Sequence, residues 1–268
     1  MRVFFFIFPL FFIVSRLSSQ TLAEKYDFIK DDFLGKSYFG VTVGAAVPFN
    51  EFSSTDFNNS NSGYAKTGFN FNLVFRYSFT PSFGATLKYT NSSNSIDLPA
   101  YQNGLNKFYS KYNYNGASFS TDPYQLYGFM IGPTFIIPSP KMNFETSVCF
   151  GNYTGTMPAN STSYNPPLPV ALYTSQGIIN TKLLSQNQSA YNANSFAVSF
   201  DVAFRYMIAK NLILSASADV VICDLIFKST QQMLVDTAGN IYAGTLPNYL
   251  QPFRLIHLNV GIGFQLDN

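Results

Sequence analysis

The chain has 268 residues, of which 47% are hydrophobic, 18% aromatic and only 11% charged, and its formal net charge is +2. So few charged residues cannot cover an ordinary water-exposed surface, and we expect part of this surface to contact something other than water. The near-neutral charge argues against nucleic-acid binding, which needs an excess of Lys and Arg.

The N-terminus has the pattern of a secretory signal peptide. Arg2 precedes an almost uninterrupted apolar run, Val3 to Val14, which small and polar residues follow. We expect a cleaved signal peptide over residues 1–19 and a neutral mature chain, because cleavage removes Arg2 and Arg16 and no acid. The alternative is an uncleaved anchor, since Arg16 lies close to the apolar run.

Residues 20–36 differ from the rest of the chain, because four apolar residues recur among charged ones at helical spacing. These are Leu22, Tyr26, Ile29 and Phe33. We expect a periplasmic N-terminal segment here, either a short helix or a flexible leader. The remaining residues, 37–268, are predicted to form one domain.

That domain contains eight stretches in which apolar and polar or small residues alternate with a period of two. The clearest is Gly68–Phe79, where phenylalanines share one face and Arg76 lies on the other. Alternation of this kind sends successive side chains to opposite faces of a strand. The phenylalanines that we expect to face lipid are Phe69, Phe71, Phe75 and Phe79. The eight stretches are Phe39–Val47, Gly68–Phe79, Phe83–Thr90, Tyr127–Ile137, Met142–Gly151, Phe196–Ile208, Leu214–Cys223 and Ile256–Leu266.

The connections alternate between tight and long. Each stretch is about as long as a tilted strand that crosses a bilayer. The tight links are Thr80–Ser82, Pro138–Pro140 and Ala209–Asn211, and the long ones are roughly 48–66, 91–123, 152–193 and 228–252. We therefore predict an all-β chain, an eight-stranded antiparallel transmembrane β-barrel with short periplasmic turns and long extracellular loops. The alternative is a secreted soluble β-sandwich.

Two local features refine this prediction. Pro133 falls inside the fourth stretch and predicts a local bulge, because it cannot donate a ladder hydrogen bond. Within the third long loop, 170–184 carries apolar residues on both sides of a Ser-Gln-Gly sequence, which is typical of a hairpin extending beyond the membrane.

The faces that carry the small residues also carry the charges. By distance from the tight turns, one group lies near the turns and the other near mid-height. The first group is Arg76, Lys88, Glu145 and Arg205, and the second is Asp201, Asp219 and His257. Because unpaired buried charges are costly and an eight-stranded barrel is narrow, we predict a paired network that plugs the lumen. The alternative is a gated ion or proton path.

The sequence offers little support for catalysis or metal binding. His257 is the only histidine, whereas a catalytic triad or a zinc site needs several convergent groups. We predict no enzymatic activity, no metal and no cofactor. Cys149 and Cys223 lie on strands separated by a third, about 9–10 Å apart, so we predict two free buried thiols rather than a disulfide.

The long loops are the remaining place for specific binding. The second loop carries tyrosines among Asn, Ser and Gly, which suits the binding of a surface glycan or a protein. The alternative is aromatic packing that stiffens the loop. The tyrosines are Tyr101, Tyr109, Tyr112 and Tyr114.

The hairpins with apolar outer faces, the inward charges and the last strand, Leu258–Phe264, together resemble the small outer-membrane β-barrels of Gram-negative bacteria, of the OmpA/OmpX-like and PorT-like kinds. The resemblance implies residence in the outer membrane, in contact with its lipid. Many such chains end on an aromatic residue, whereas here Gln265–Asn268 follow Phe264.

The function predicted from these features is structural, adhesive or surface-binding, carried by the long loops. One alternative is a narrow channel for small or apolar solutes. The other is an accessory subunit of an outer-membrane secretion or assembly complex, which would dock through residues 20–36 or through the loops.

Overall fold

The computed structural model describes residues 37–111, 116–139, 141–174, 177–209 and 211–266. The signal peptide expected at 1–19 and the segment expected at 20–36 lie outside the described residues. The strands are β1 (Ser37–Pro48), β2 (Gly68–Thr80), β3 (Phe83–Asn94), β4 (Ala117–Thr121), β5 (Tyr124–Pro138), β6 (Met142–Met157), β7 (Asn160–Thr174), β8 (Gly177–Gln188), β9 (Tyr191–Ala209), β10 (Leu212–Phe227), β11 (Thr230–Asp236), β12 (Ile241–Leu246) and β13 (Tyr249–Leu266). A short 3-10 turn, Asn50–Phe52, lies in the first long loop, and an α-helix, α1 (Leu98–Ser110), lies in the second.

Eight of the strands close into an antiparallel barrel, in the order β1-β13-β10-β9-β6-β5-β3-β2. The ring closes where β1 pairs with β13, from Ser37 opposite Leu266 to Pro48 opposite Leu255. Each barrel strand contains one of the eight alternating stretches, so the predicted fold class is confirmed. The link between β2 and β3 is a turn at 81–82, and Asn211, before β10, adopts a positive φ of 69°, a conformation that Asn tolerates well.

The outward side chains of the barrel form an apolar belt. Phe69 and Phe196 are 57% and 63% exposed. At about 3.3 Å per residue and a tilt of about 40°, β9 from Phe196 to Ile208 covers about 30 Å along the barrel axis, the thickness of a bilayer's hydrocarbon core. Aromatic residues lie toward both rims of the belt, as in membrane barrels. They are Tyr77, Phe79, Phe83, Tyr206 and Phe264 near the turns, and Phe69, Tyr127, Phe129, Phe150 and Phe196 near the loops.

The loop-side limit of the belt is marked by hydrogen-bonded polar pairs on β6 and β9. Thr154 and Thr156 donate to the side-chain oxygens of Asn194 and Asn192, each over 2.6 Å; the two asparagines are exposed and the two threonines are partly buried. On β9 the asparagines follow directly on the outward Phe196, and on β6 the exposed Asn152 lies between Phe150 and the threonines. The wall therefore changes from lipid-facing to water-facing within two residues of Phe196.

The bulge predicted at Pro133 is wrong. Ile131 pairs with Phe150 and Thr134 with Ser147, so the register between β5 and β6 is the same on both sides of the proline. Gly132 and Pro133 have no partner on β6, yet both pair with β3. Because proline removes one donor without adding a residue, the strand leaves a ladder bond unmade and keeps its register.

Above the membrane, five barrel strands continue as a second sheet in the order β12-β11-β8-β7-β4. Each is separated from its barrel strand by two residues without strand pairing, and we call this line of interruptions the crease. The crease consists of 122–123, 158–159, 189–190, 228–229 and 247–248. Register continues across it: Met157 pairs with Tyr191 below, and Asn160 pairs with Gln188 above. The hairpin predicted around 170–184 is β7 and β8.

Helix α1 packs on one face of this outer sheet. Asp97 caps its N-terminus by accepting a hydrogen bond from the Ala100 backbone N–H over 3.1 Å, and proline follows in the first turn. Leu105 packs there with buried residues of four sheet strands, which are Ala117, Tyr164, Leu168, Leu183 and Leu234. The second long loop is therefore a folded layer.

No helix in the described part of the chain is long and apolar enough to cross a membrane.

Candidate functional site in the lumen and at the cell surface

The lumen contains a first layer of charges near the short turns. Glu145 on β6 accepts a hydrogen bond from Arg76 on β2 through one carboxylate oxygen and from Arg205 on β9 through the other. All three side chains are buried. The Arg205 guanidinium also lies 3.9 Å from the centre of the buried Tyr38 ring, which is cation–π geometry. This layer joins three strands across the lumen.

A second layer of charges lies at mid-height. The ammonium of Lys88 is 2.5 Å from the Asp219 carboxylate and 3.9 Å from that of Asp201, and it donates to Ser199 over 3.3 Å. His257 Nδ1 lies 3.4 Å from the same Asp219 oxygen. From its position along β3, Lys88 was predicted to lie with the turn-side charges. Its long side chain instead reaches the mid-height layer.

The formal charges of the two layers are opposite. The turn-side layer has two guanidinium groups and one carboxylate, a net charge of +1. Apart from His257, the mid-height layer has one ammonium and two carboxylates, a formal charge of −1. Asp201 and Asp219 are directly opposite each other on neighbouring strands, a repulsive arrangement that Lys88 offsets. The layers therefore attract each other along the barrel axis.

Little space remains between the layers. A cavity of about 20 Å³ lies against Lys88, Glu145, Asp201 and Arg205, which is room for about one water molecule. A hydrated ion needs a wider continuous path than this.

The loop side of the lumen is filled by apolar side chains. Phe52, from the 3-10 turn of the first loop, is fully buried there. Its ring centre lies 4.6 Å from that of Phe253 and 5.2 Å from that of Tyr124. We call this group the apolar cap. Its buried members are Ala46, Phe52, Ala65, Tyr124, Leu126, Met130, Cys149, Tyr153, Met157, Ala193, Ala197, Val221, Cys223, Leu225, Phe227, Phe253 and Leu255.

Cys149 and Cys223 are both free and buried within the apolar cap. They lie on β6 and β10, with β9 between them in the ring, so two strand spacings separate them as predicted. Among the described residues, no group of three or more His, Cys, Asp and Glu side chains is placed to hold a metal ion.

Two of the four predicted loop tyrosines lie between α1 and the outer sheet. The Tyr101 ring centre is 4.3 Å from that of Phe119 on β4, and the Tyr109 hydroxyl is 3.2 Å from that of Tyr164 on β7. Burial raises the pKa of Tyr101. These two tyrosines pack the helix onto the sheet. Tyr112 and Tyr114 lie outside the described residues.

The other face of the outer sheet is not covered by α1, and we call it the open face. On β4, β7 and β8 it presents hydroxyl and amide groups, and on β11 and β12 it presents mainly apolar residues. Its residues, by register, are Ser118, Ser120, Ser161, Ser163, Ser185, Asn187, Gln231, Met233, Val235, Ile241, Ala243 and Thr245. The Ser161 hydroxyl on β7 donates to the side-chain oxygen of Asn187 on the neighbouring strand β8 over 2.6 Å.

The tip of the β11–β12 hairpin is held by Asp236. Its carboxylate accepts hydrogen bonds from the Asn240 side chain and backbone, and from the hydroxyls of Tyr242 and Thr181, over 2.8 to 3.1 Å. These bonds hold the pKa of Asp236 well below its usual range. Gly239, with a φ of 82°, permits the tight return of the chain.

An apolar belt outside and charged layers inside invert the arrangement of a soluble protein, and this decides the class of the chain. It is an outer-membrane β-barrel. The closed ring excludes the soluble sandwich, and the belt places the barrel in contact with outer-membrane lipid.

The chain was also compared with solved structures. The chain is similar to Neisserial surface protein A (11% identity, 86% of this chain and 96% of that chain, TM-score 0.41). It is also similar to Ail of Yersinia pestis, solved with a heparin analogue (12%, 86% and 99%, 0.40), and to a major outer membrane protein of Thermus thermophilus (13%, 86% and 99%, 0.43). No protein-family model and no curated protein matches the sequence. At these identities and TM-scores the likeness carries no weight for function.

Sequence reasoning missed the apolar cap and most of the outer sheet. Phe52 is one of four aromatic residues in an otherwise polar loop, with Phe49, Phe57 and Tyr64, and nothing in the sequence singles it out. The signal for β11 and β12 was an Asp-Thr-Ala-Gly-Asn turn between two short runs rich in apolar residues. That signal is short, and only tertiary packing gives it meaning.

Proposed function

We propose that this protein is a non-conducting barrel with a structural or adhesive role, which presents its outer sheet and loops at the cell surface and binds a partner there. The observation that carries the proposal is that the lumen is filled at three levels. Two charged layers and the apolar cap occupy it, and the cavity between the layers is about 20 Å³. No enzymatic reaction is part of the proposed role.

The three levels are independent barriers. Opening the turn-side layer requires separating Glu145 from two guanidinium groups, and opening the next requires separating Lys88 from Asp219. Each separation leaves a charge unpaired in a narrow lumen, which costs several kcal/mol. On the loop side, the apolar cap that contains Phe52 closes the lumen. We therefore assign no transport role to the lumen.

The outer sheet supports a role at the surface. Five strands continue beyond the belt, although crossing the membrane does not require them. The serine and asparagine side chains of the open face offer hydrogen bonds without charge, as does Gln231. Such a surface suits an uncharged ligand, either a neutral surface glycan or a polar protein surface.

Conductance in planar bilayers tests the closed lumen. We expect the purified chain to give no discrete openings under conditions in which a general porin conducts. Discrete openings of the wild-type chain that disappear in Glu145→Gln would contradict the proposal and favour the narrow channel.

Purification from native membranes under mild detergent tests the surface role against the accessory-subunit alternative. We expect no stoichiometric periplasmic or outer-membrane assembly partner. A constant partner retained at fixed stoichiometry would overturn the proposal in favour of a subunit role.

A further inference from the structure

The two edges of the outer sheet are unlike each other. At the β4 edge, α1 lies alongside the strand, and Gln102 of α1 donates a side-chain hydrogen bond to the backbone carbonyl of Ala117. At the other edge, β12 pairs with β11 and, among the described residues, with no other strand. The edge formed by β4 is therefore covered, whereas the edge formed by β12 is open along its whole length.

The open edge lacks the features that usually prevent strand pairing. Exposed edges are commonly protected by charged residues, proline or a bulge. Ile241–Leu246 contains neither charge nor proline, and its register with β11 runs without a shift from Val235–Ile241 to Thr230–Leu246. Ile241, Tyr242 and Thr245 all favour extended structure.

An apolar strip runs along the same edge. Met233 and Val235 on β11 lie opposite Ala243 and Ile241 on β12. Ile241 is 67% exposed and Met233 is 43% exposed. This strip faces water in the isolated chain, and an added strand would cover part of it. The edge therefore offers a row of unpaired backbone N–H and C=O groups with apolar side chains beside it. Such an edge favours the binding of an extended, uncharged polypeptide segment.

We propose that β12 pairs with β12 of a second copy of this chain, which joins two outer sheets into one. The inference rests on the proposed surface-binding function and names its partner. The strand is uncharged and β-prone, so it is itself the kind of segment that its edge selects. Two neutral strands also avoid like-charge contacts on pairing.

Symmetry limits the register of such a pair. The registers considered are antiparallel, with the two-fold axis perpendicular to the joined sheet and midway between a residue and its own copy, because residues opposite each other must lie on the same face. Since β12 leads directly into the barrel strand β13, the two barrels then extend from the joined sheet in opposite directions. At the centre of the strand this puts either Ala243 opposite Ala243 or Gly244 opposite Gly244. In the first register Ile241 lies opposite Thr245, and in the second Ala243 lies opposite Thr245.

The oligomeric state of the full chain in detergent tests the proposal. Light scattering after size exclusion should give a dimer for the wild type. Ala243→Lys places two ammonium groups side by side at the edge and should weaken the dimer by more than about tenfold. Asn180→Lys, an exposed position on the interior strand β8, is the matched control and should leave the dimer intact. Heat-modifiable gel migration checks that each variant keeps its barrel.

Crosslinking supplies a second readout. The double variant Ala243→Cys and Thr245→Cys should form an intermolecular disulfide in either register, because the native cysteines are buried. A wild-type monomer at all concentrations, or a dimer unaffected by Ala243→Lys, would overturn the proposal. Neither result bears on conductance, so a failure here leaves the closed lumen standing.

Discussion

The ring of Phe52 lies 4.6 Å from the ring of Phe253, so a residue of the first extracellular loop is part of the core inside the barrel. Loop and barrel are thereby one packed unit. The contact explains why the loop turns back at Asn50–Phe52, and why the Gly63 and Ala65 N–H groups donate to carbonyls of Glu51 and Phe52.

Phe52→Ala should destabilise the barrel by about 3–5 kcal/mol, because it removes a fully buried ring and leaves a cavity. Urea unfolding in lipid vesicles, followed by circular dichroism, measures the change in unfolding free energy. Phe108→Ala, at a side chain that is 43% exposed, should cost far less. Equal losses for the two variants would contradict the role of Phe52 in the cap.

Glu145→Gln should be more damaging than Arg205→Met. The first change leaves two buried guanidinium groups without a counter-charge, at a cost of about 3–5 kcal/mol. The second leaves Arg76 and Glu145 as a neutral pair. Thermal unfolding of the two variants in the same detergent gives the order, and the reverse order would show that Arg76 alone does not hold Glu145.

Lys88→Met should strongly destabilise the barrel at neutral pH, because Asp201 and Asp219 then oppose each other without a cation. Its deficit should shrink as the pH falls, since protonating one carboxylate removes the repulsion. Asp201→Asn keeps the closer ion pair, Lys88 with Asp219, and should be tolerated. Melting temperatures at pH 7 and pH 5 test this, and a Lys88→Met deficit that grows on acidification would refute it.

Asp236→Asn should loosen the β11–β12 hairpin, which hydrogen exchange of 236–246 would detect as faster exchange. Because the folded pKa lies below the ordinary value of about 3.9, the carboxylate stabilises the tip fully above about pH 4. That contribution is lost only as the pH falls through the lower folded pKa. The wild-type tip should therefore show equal protection at pH 5 and pH 7, after correction for intrinsic rates. Asp56→Asn, in the first loop, is the control.

The barrel was predictable because period-two alternation is a local property. Phe69 and Arg76 alternate faces whatever the rest of the chain does, and the tight turns set the pairing of neighbouring strands. The charged residues could likewise be assigned to the lumen, because they occupy the alternate positions that face inward. Their ion-pair partners could not be predicted, because a contact such as that of Lys88 with Asp219 depends on side-chain length and on the width of the barrel.

The outer sheet was less predictable, because the same alternation has a different meaning above the crease. Residues with the parity of the lipid-facing Phe150 and Leu214 reappear there as Tyr164 and Leu234, which are buried beside α1. Nothing in the local pattern distinguishes a lipid contact from a helix contact. That distinction required the position of α1.

The crease also has a practical consequence for protein engineering. Its interruptions lie directly opposite each other between β7 and β8 and between β11 and β12, and in these pairs the strand registers are the same above and below it. We therefore expect the five outer strands and α1 to be exchangeable together, whereas the first loop, which carries Phe52, must stay with the barrel. The barrel could therefore serve as a scaffold for displaying other folded segments, joined to it at the crease.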